Sequence, residues 1–141
     1  MALQLHHIGV LVKDIDKSAF DYVSKFGYKI QSIVIHDPVQ TAFVQFLKLD
    51  GDDSYMELIT PDGPESKLVT ALKKGGGLNH FCYQTDNIEA SLQDLALKSM
   101  FILQQPVDAV AFPNRKIAWL MGRDGIPIEL VEKGVDLWQK W

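Results

Sequence analysis

Two spacings of apolar residues alternate along this chain. Leu5–Val12 is an aliphatic run whose faces are Leu5, His7, Gly9, Leu11 and His6, Ile8, Val10, Val12, which predicts a strand. The spacing then lengthens. Ile15, Ala19, Tyr22, Val23 and Phe26 fall on one helical stripe, capped by Asp14 or Asp16 and stopped by Gly27. Tyr28–His36, Thr41–Leu49 and Ser54–Thr60 read as strands, divided by Asp37-Pro38 and by the Asp50-Gly51-Asp52-Asp53 loop. A linking helix is predicted over Glu65–Lys74, ended by Gly75-Gly76-Gly77. The cycle then restarts. Leu78–Thr85 is a strand, Asn87 a cap, and Ile88, Leu92, Leu95 and Ala96 a stripe, followed by strands over Phe101–Leu103, Arg115–Met121 and Ile126–Val131. Gln104–Pro113 reads as an irregular flap.

The restart is a repeat. LHHIGVLVKDIDKS (Leu5–Ser18) lies over LNHFCYQTDNIEAS (Leu78–Ser91) without a gap, His7 on His80, at an offset of 80 − 7 = 73. Met56-Glu57-Leu58-Ile59 recurs as Ile128-Glu129-Leu130-Val131, at an offset of 129 − 57 = 72. The chain is therefore read as one α+β domain of two tandem βαβββ modules, 4–61 and 78–133, related by a pseudo-twofold axis about a cleft. Residues 62–77 form the linker helix and glycine hinge, and 134–141 a tail. The glycine run is in the wrong context for a phosphate cradle, because no strand precedes it and a strand follows it.

Composition narrows the classes. At 141 residues, 47% hydrophobic and 23% charged, the chain is an ordinary globular domain. A net charge of −4 without a basic run argues against nucleic acid and anionic membrane as partners. The N-terminal residues have no signal-peptide pattern and no apolar run spans a bilayer, so a cytoplasmic protein is expected. Cys82 is the one cysteine and has no partner for an internal disulfide. Trp138 and Trp141 are expected to dock on the body or on a second subunit, and the exposed sheet edges predict a homodimer.

Strand parity places His7, Glu57, His80 and Glu129 on the faces turned away from their own helices. Two imidazoles and two carboxylates suit one borderline divalent ion, Co, Ni, Zn or Mn, and leave an octahedral ion two open positions for a substrate with neighbouring oxygens. Cys82 shares the face of His80 and is a candidate lining residue, with a buried inert thiol as the alternative. By the repeat offset Lys116 faces the cleft opposite Val44, where it would meet a carboxylate or phosphate; a surface lysine is the alternative. His6 has the helix-facing parity and reads as structural.

The segments HHIGVLVKDIDKS, MELITPDGPES, KKGGGLNH and GIPIELVEK resemble the vicinal oxygen chelate (glyoxalase/bleomycin resistance/dioxygenase) superfamily. Within it they look most like the methylmalonyl-CoA epimerase branch, with glyoxalase I (lactoylglutathione lyase) next. The resemblance runs from about Leu5 to Lys133. It implies a glyoxalase-like fold, metal ligands at His7, Glu57, His80 and Glu129, and isomerase or lyase chemistry by proton transfer next to a carbonyl. Glu129 is the expected base and Glu57 its counterpart across a small acyl-thioester or 2-oxo substrate. Where the branch carries a Gly-containing stretch shaping the substrate end, this chain reads Ala111-Phe112-Pro113-Asn114-Arg115-Lys116, which makes Asn114 a further substrate-binding candidate. A non-catalytic binding module is the second class, disfavoured by retention of all four ligand residues. A ring-cleaving dioxygenase is disfavoured by the fourth ligand, Glu57.

Overall fold

The strand-to-helix step that the sequence writes twice is built twice in the same way. The computed structural model describes residues 2–140. Its elements are β1 (Gln4–Leu11), α1 (Ile15–Phe26), β2 (Lys29–Ile30), β3 (Ile35–Asp37), β4 (Ala42–Lys48), β5 (Tyr55–Pro61), α2 (Val69–Lys73), β6 (Gly77–Thr85), α3 (Ile88–Leu97), β7 (Phe101–Asp108), β8 (Lys116–Met121) and β9 (Pro127–Glu132). This is the mixed α+β class expected. Asp14 caps α1 from extended backbone, its Oδ1 accepting from the Lys17 N–H at 3.1 Å. Asn87 caps α3 from the same backbone region, its Oδ1 accepting from the Ala90 N–H at 3.0 Å. Gly27 ends α1 in the left-handed region, where glycine carries no Cβ penalty.

The chain forms two compact units. One comprises residues 2–7 together with His80–Leu137; the other comprises Ile8–Asn79 and residues 138–140. In the first, the strand order is β6-β9-β8-β7, with β6 and β9 parallel and the others antiparallel. Its core is Ile88, Leu92, Ala118, Leu120 and Leu130, backed by Tyr83, Leu95 and Met100. In the second, β4 pairs with β2, β3 and β5. Its core is Ile15, Ala19, Leu47 and Leu58, backed by Val10, Val12, Tyr22 and Met56.

These cores correspond position by position. Ile15 and Ile88, Ala19 and Leu92, and Leu47 and Leu120 share the offset that relates His7 to His80, and Leu58 and Leu130 are one residue closer. Each fully buried aliphatic side chain stabilises its unit by roughly 1.5–3 kcal/mol relative to exposure. The same parity turns Glu57, Trp119 and Glu129 to the faces away from the helices, since their strand neighbours Leu58, Ala118, Leu120 and Leu130 are the ones in the cores.

Four local expectations are corrected. The strand expected over Tyr28–His36 is two short ones, because buried Ser32 takes over the ladder. Its Oγ accepts from the Phe46 N–H at 3.0 Å and its carbonyl from Gln45 Nε2 at 3.1 Å. The linking helix begins only at Val69, because Ser66 Oγ accepts from the Leu68 N–H (3.1 Å) and donates to the Thr41 carbonyl (2.7 Å), fixing a turn. The first half of the flap expected over Gln104–Pro113 is strand, the end of β7, which pairs with β8 as far as Asp108 opposite Lys116. Two register shifts and an edge position accommodate Pro106 there. On α1, Val23 and Phe26 are exposed, so the buried stripe is narrower than its apolar spacing suggests.

Gly76 (φ +63°) lies so near β1 that a Cβ would stand 2.7 Å from the Leu11 carbonyl oxygen. Trp138 docks on its own chain, stacked on Phe46 with ring centroids 4.1 Å apart and edge-on to Tyr55 at 4.9 Å. Trp141 lies outside the described residues. Among the described residues no helix is long and apolar enough to cross a membrane.

Candidate metal centre

Three strands of the first unit bring three potential donors together. Cys82 on β6 is in register with Glu129 on β9, and His80 lies two residues before Cys82 on the same face. His7, near the start of β1, meets His80 edge to face, with ring centroids 5.2 Å apart. His7 Nε2 lies 3.1 Å from His80 Nε2 and 3.2 Å from Glu129 Oε1, and His80 Nε2 lies 3.4 Å from that same oxygen. All three side chains are buried, at 0%, 3% and 5% exposure. Trp119, in register with Glu129 on β8, closes on the His80 ring at 4.8 Å, and its buried indole N–H has no hydrogen-bond partner among the described residues.

These separations suit a shared cation. An ion held at about 2.0–2.2 Å sets neighbouring donors roughly 2.8–3.6 Å apart for angles between right and tetrahedral. All three distances fall in that interval, and two imidazole nitrogens with a carboxylate oxygen are the donor set of borderline divalent ions. Burial alone would push the Glu129 pKa up, but the neighbouring imidazoles of His7 and His80 outweigh it and hold the carboxyl below its ordinary value. The carboxylate is therefore ionised at neutral pH, as a ligand or a base must be.

Behind His7 lies a second polar layer. His7 Nδ1 is 2.8 Å from His6 Nδ1, and His6 Nε2 reaches both carboxylate oxygens of Asp136, at 3.0 and 3.1 Å. Arg115 donates from one guanidinium nitrogen to Asp136 Oδ1 and from Nε to the Glu132 carbonyl, each at 2.7 Å. Phe112 lies edge to face with His6 and stacks on His7, with ring centroids 5.2 Å and 5.9 Å apart. Burial lowers the His6 pKa, against the raising effect of Asp136. Asp136, which burial would raise, is driven down to about 2 by its bonds to His6 and Arg115. The two directions are compatible, because a neutral imidazole N–H already stabilises a carboxylate.

Glu57 is buried on β5 of the second unit, in register with Phe46. Cys82 is fully buried and outside any disulfide; its Sγ and one ring nitrogen each of His6 and His7 all lie within 4.8 Å of one another. Lys116 is exposed at the start of β8, with Nζ 3.6 Å from Asp108, and Asn114 is exposed in a left-handed turn at φ 64°. Neither is among the residues around His7, His80 and Glu129. His6, Arg115, Phe112 and Asp136 were not among the candidates. One signal was available: the His-His pair of the first module is Asn79-His80 in the second, so His6 stands outside the repeat.

A family model described as the glyoxalase/bleomycin resistance protein/dioxygenase superfamily matches residues 6–119. Human mitochondrial methylmalonyl-CoA epimerase is 29% identical over 131 residues, covering 90% of this chain and 72% of that protein. Lactoylglutathione lyase of Schizosaccharomyces pombe is 26% identical, covering 92% of this chain and 47% of that one. Among solved structures, methylmalonyl-CoA epimerase of Mycobacterium tuberculosis superposes with a TM-score of 0.82 at 22% identity, over 93% and 88% of the two chains. A variant of the Streptomyces coelicolor epimerase in complex with 2-nitronate-propionyl-CoA has the same TM-score at 25% identity, over 95% and 100%.

Proposed function

Because the chain belongs to the glyoxalase/bleomycin resistance protein/dioxygenase superfamily, we propose that it is a metal-dependent epimerase that moves a proton at the carbon next to a thioester carbonyl. The observation that carries this reading is the buried set of His7, His80 and Glu129, with donor atoms 3.1–3.4 Å apart. His7, His80 and Glu129 would hold one divalent ion, Co, Ni, Zn or Mn, and Glu57, the counterpart of Glu129 in the repeat, is proposed as the fourth donor. A bound ion supplies Lewis-acid polarisation of the carbonyl, which acidifies the neighbouring C–H.

The chain's own residues do the rest. Glu129, ionised and shielded from water, is the proposed base that takes the proton from one face of the carbon. Glu57 is proposed to serve the opposite face of the planar intermediate, as inversion at carbon requires. Trp119 brings an unused N–H donor beside His80, available to a substrate oxygen. An acyl-CoA substrate is favoured by the similarity to epimerases, one of them solved with an acyl-CoA analogue. A lactoylglutathione-type isomerisation is the second reading, supported by similarity to the yeast lyase.

The test is solvent deuterium incorporation into methylmalonyl-CoA and into the hemithioacetal of methylglyoxal and glutathione, with metal content measured on the same sample. Exchange into the first supports the epimerase and exchange into the second alone supports the lyase. A metal-loaded protein that exchanges neither refutes the proposed substrates.

A further inference from the structure

The second polar layer behind His7 has a direction built into it. Asp136 is ionised beside the Arg115 guanidinium, and a carboxylate can only accept, so the proton between Asp136 and His6 belongs to His6 Nε2. A neutral His6 ring with its proton on Nε2 has a bare Nδ1. The 2.8 Å contact from His6 Nδ1 to His7 Nδ1 needs one proton, and that proton is then His7's. With Nδ1 protonated, His7 Nε2 carries a lone pair, aimed at the point where His80 and Glu129 converge. The proton facing the Glu129 carboxylate then comes from His80.

We propose that His6, Asp136 and Arg115 are positioning residues that set the tautomer of His7, so that its Nε2 is available as a metal donor. The metal-donor role rests on the epimerase reading; the tautomer does not. Ligating histidines commonly donate their second N–H to a carboxylate, carbonyl or water, which fixes the ring and raises its basicity. Here the carboxylate acts one ring further out, through His6. The assembly is rigid enough to hold the direction. Phe112 packs on both imidazoles, and the Arg115 side chain lies directly over Gly134, where a Cβ would stand 2.9 Å from its Cδ and Nε. A doubly protonated His6 would reverse the chain, donating to His7 Nδ1 and leaving a proton on His7 Nε2. It would also bury a second cation close to Arg115, served by the one carboxylate.

Long-range 1H–15N correlation spectra of the full chain, labelled at histidine nitrogen and kept in chelator, read each ring directly. The expected pattern is His7 protonated at Nδ1 only and His6 at Nε2 only. A proton on His7 Nε2, or two on His6, overturns the proposal, and the spectrum is informative even if the protein binds no metal. A second arm measures Zn(II) affinity by competition with a chromophoric chelator. His6→Leu, which keeps bulk and loses the acceptor, is expected to lower affinity about 10–100-fold. His6→Asn, whose Oδ1 can stand where Nδ1 was, is expected to retain most of it. Equal affinity in the Leu variant and the native chain, or equal losses in both variants, would reduce His6 to a packing role and overturn the positioning claim. Failure of the native chain to bind Zn(II) would count against the metal reading and leave the tautomer to the spectrum.

Discussion

Glu129 and Asp136 are both buried carboxylates, yet their neighbours commit them to different tasks. Glu129 faces two imidazole nitrogens, and Asp136 faces one imidazole and a guanidinium. Glu129→Gln keeps the shape and removes the charge, so exchange at the substrate carbon should fall roughly 10²–10⁴-fold, the usual contribution of a general base. Metal content of the same variant separates loss of the base from loss of the ion. Asp136 makes a prediction about acid stability. Its folded pKa, about 2, lies below the ordinary 3.8, so in that window the unfolded chain binds a proton that the folded chain refuses. Its contribution is present above about pH 4 and lost as the pH falls toward about 2. Denaturation midpoints across this range should drop less steeply in Asp136→Asn than in the native chain. The sequence exposed the first carboxylate and hid the second. Glu129 is marked by its repeat partner Glu57, whereas Asp136 lies in the tail beyond the repeat, 130 residues from the His6 it bonds.

Elements were legible where a local rule and the packing agree. The two N-caps, the two helices and the strands carrying Leu58 and Leu130 follow from spacing alone, because each apolar face has a core to meet. They failed to be legible where a side chain or an edge overrode the pattern, as Ser32 does between β2 and β3 and Pro106 does in β7. The repeat makes paired predictions. Asp14→Ala and Asn87→Ala should each cost about 0.5–2 kcal/mol, and Leu58→Ala and Leu130→Ala about 2–5 kcal/mol, by denaturant titration. Gly76→Ala should also destabilise, by at least about 1 kcal/mol, since it combines left-handed backbone with a Cβ aimed at the Leu11 carbonyl.

At the scale of the molecule, one module plan has been used twice and then made unequal. The cores match, the caps match, and one histidine per module matches; His6, Arg115 and Asp136 come together in the first unit only. Of that set only His6 was marked in the sequence, by Asn79 at its place in the second module, because a repeat otherwise points to what its two halves share. Stability should couple to the metal site. An ion that binds only the folded chain adds about 2.7 kcal/mol when present at a hundred times its dissociation constant. Added Zn(II) or Co(II) should therefore raise the melting temperature of the native chain, and His7→Ala should remove the rise. The proton-transfer claim is met most directly by incubating the metal-loaded protein with methylmalonyl-CoA in D2O and following the α-carbon by mass spectrometry. One deuterium per molecule, entering with loaded protein and not with Glu129→Gln, is the predicted result. A fully loaded protein that leaves the α-proton in place would contradict the account.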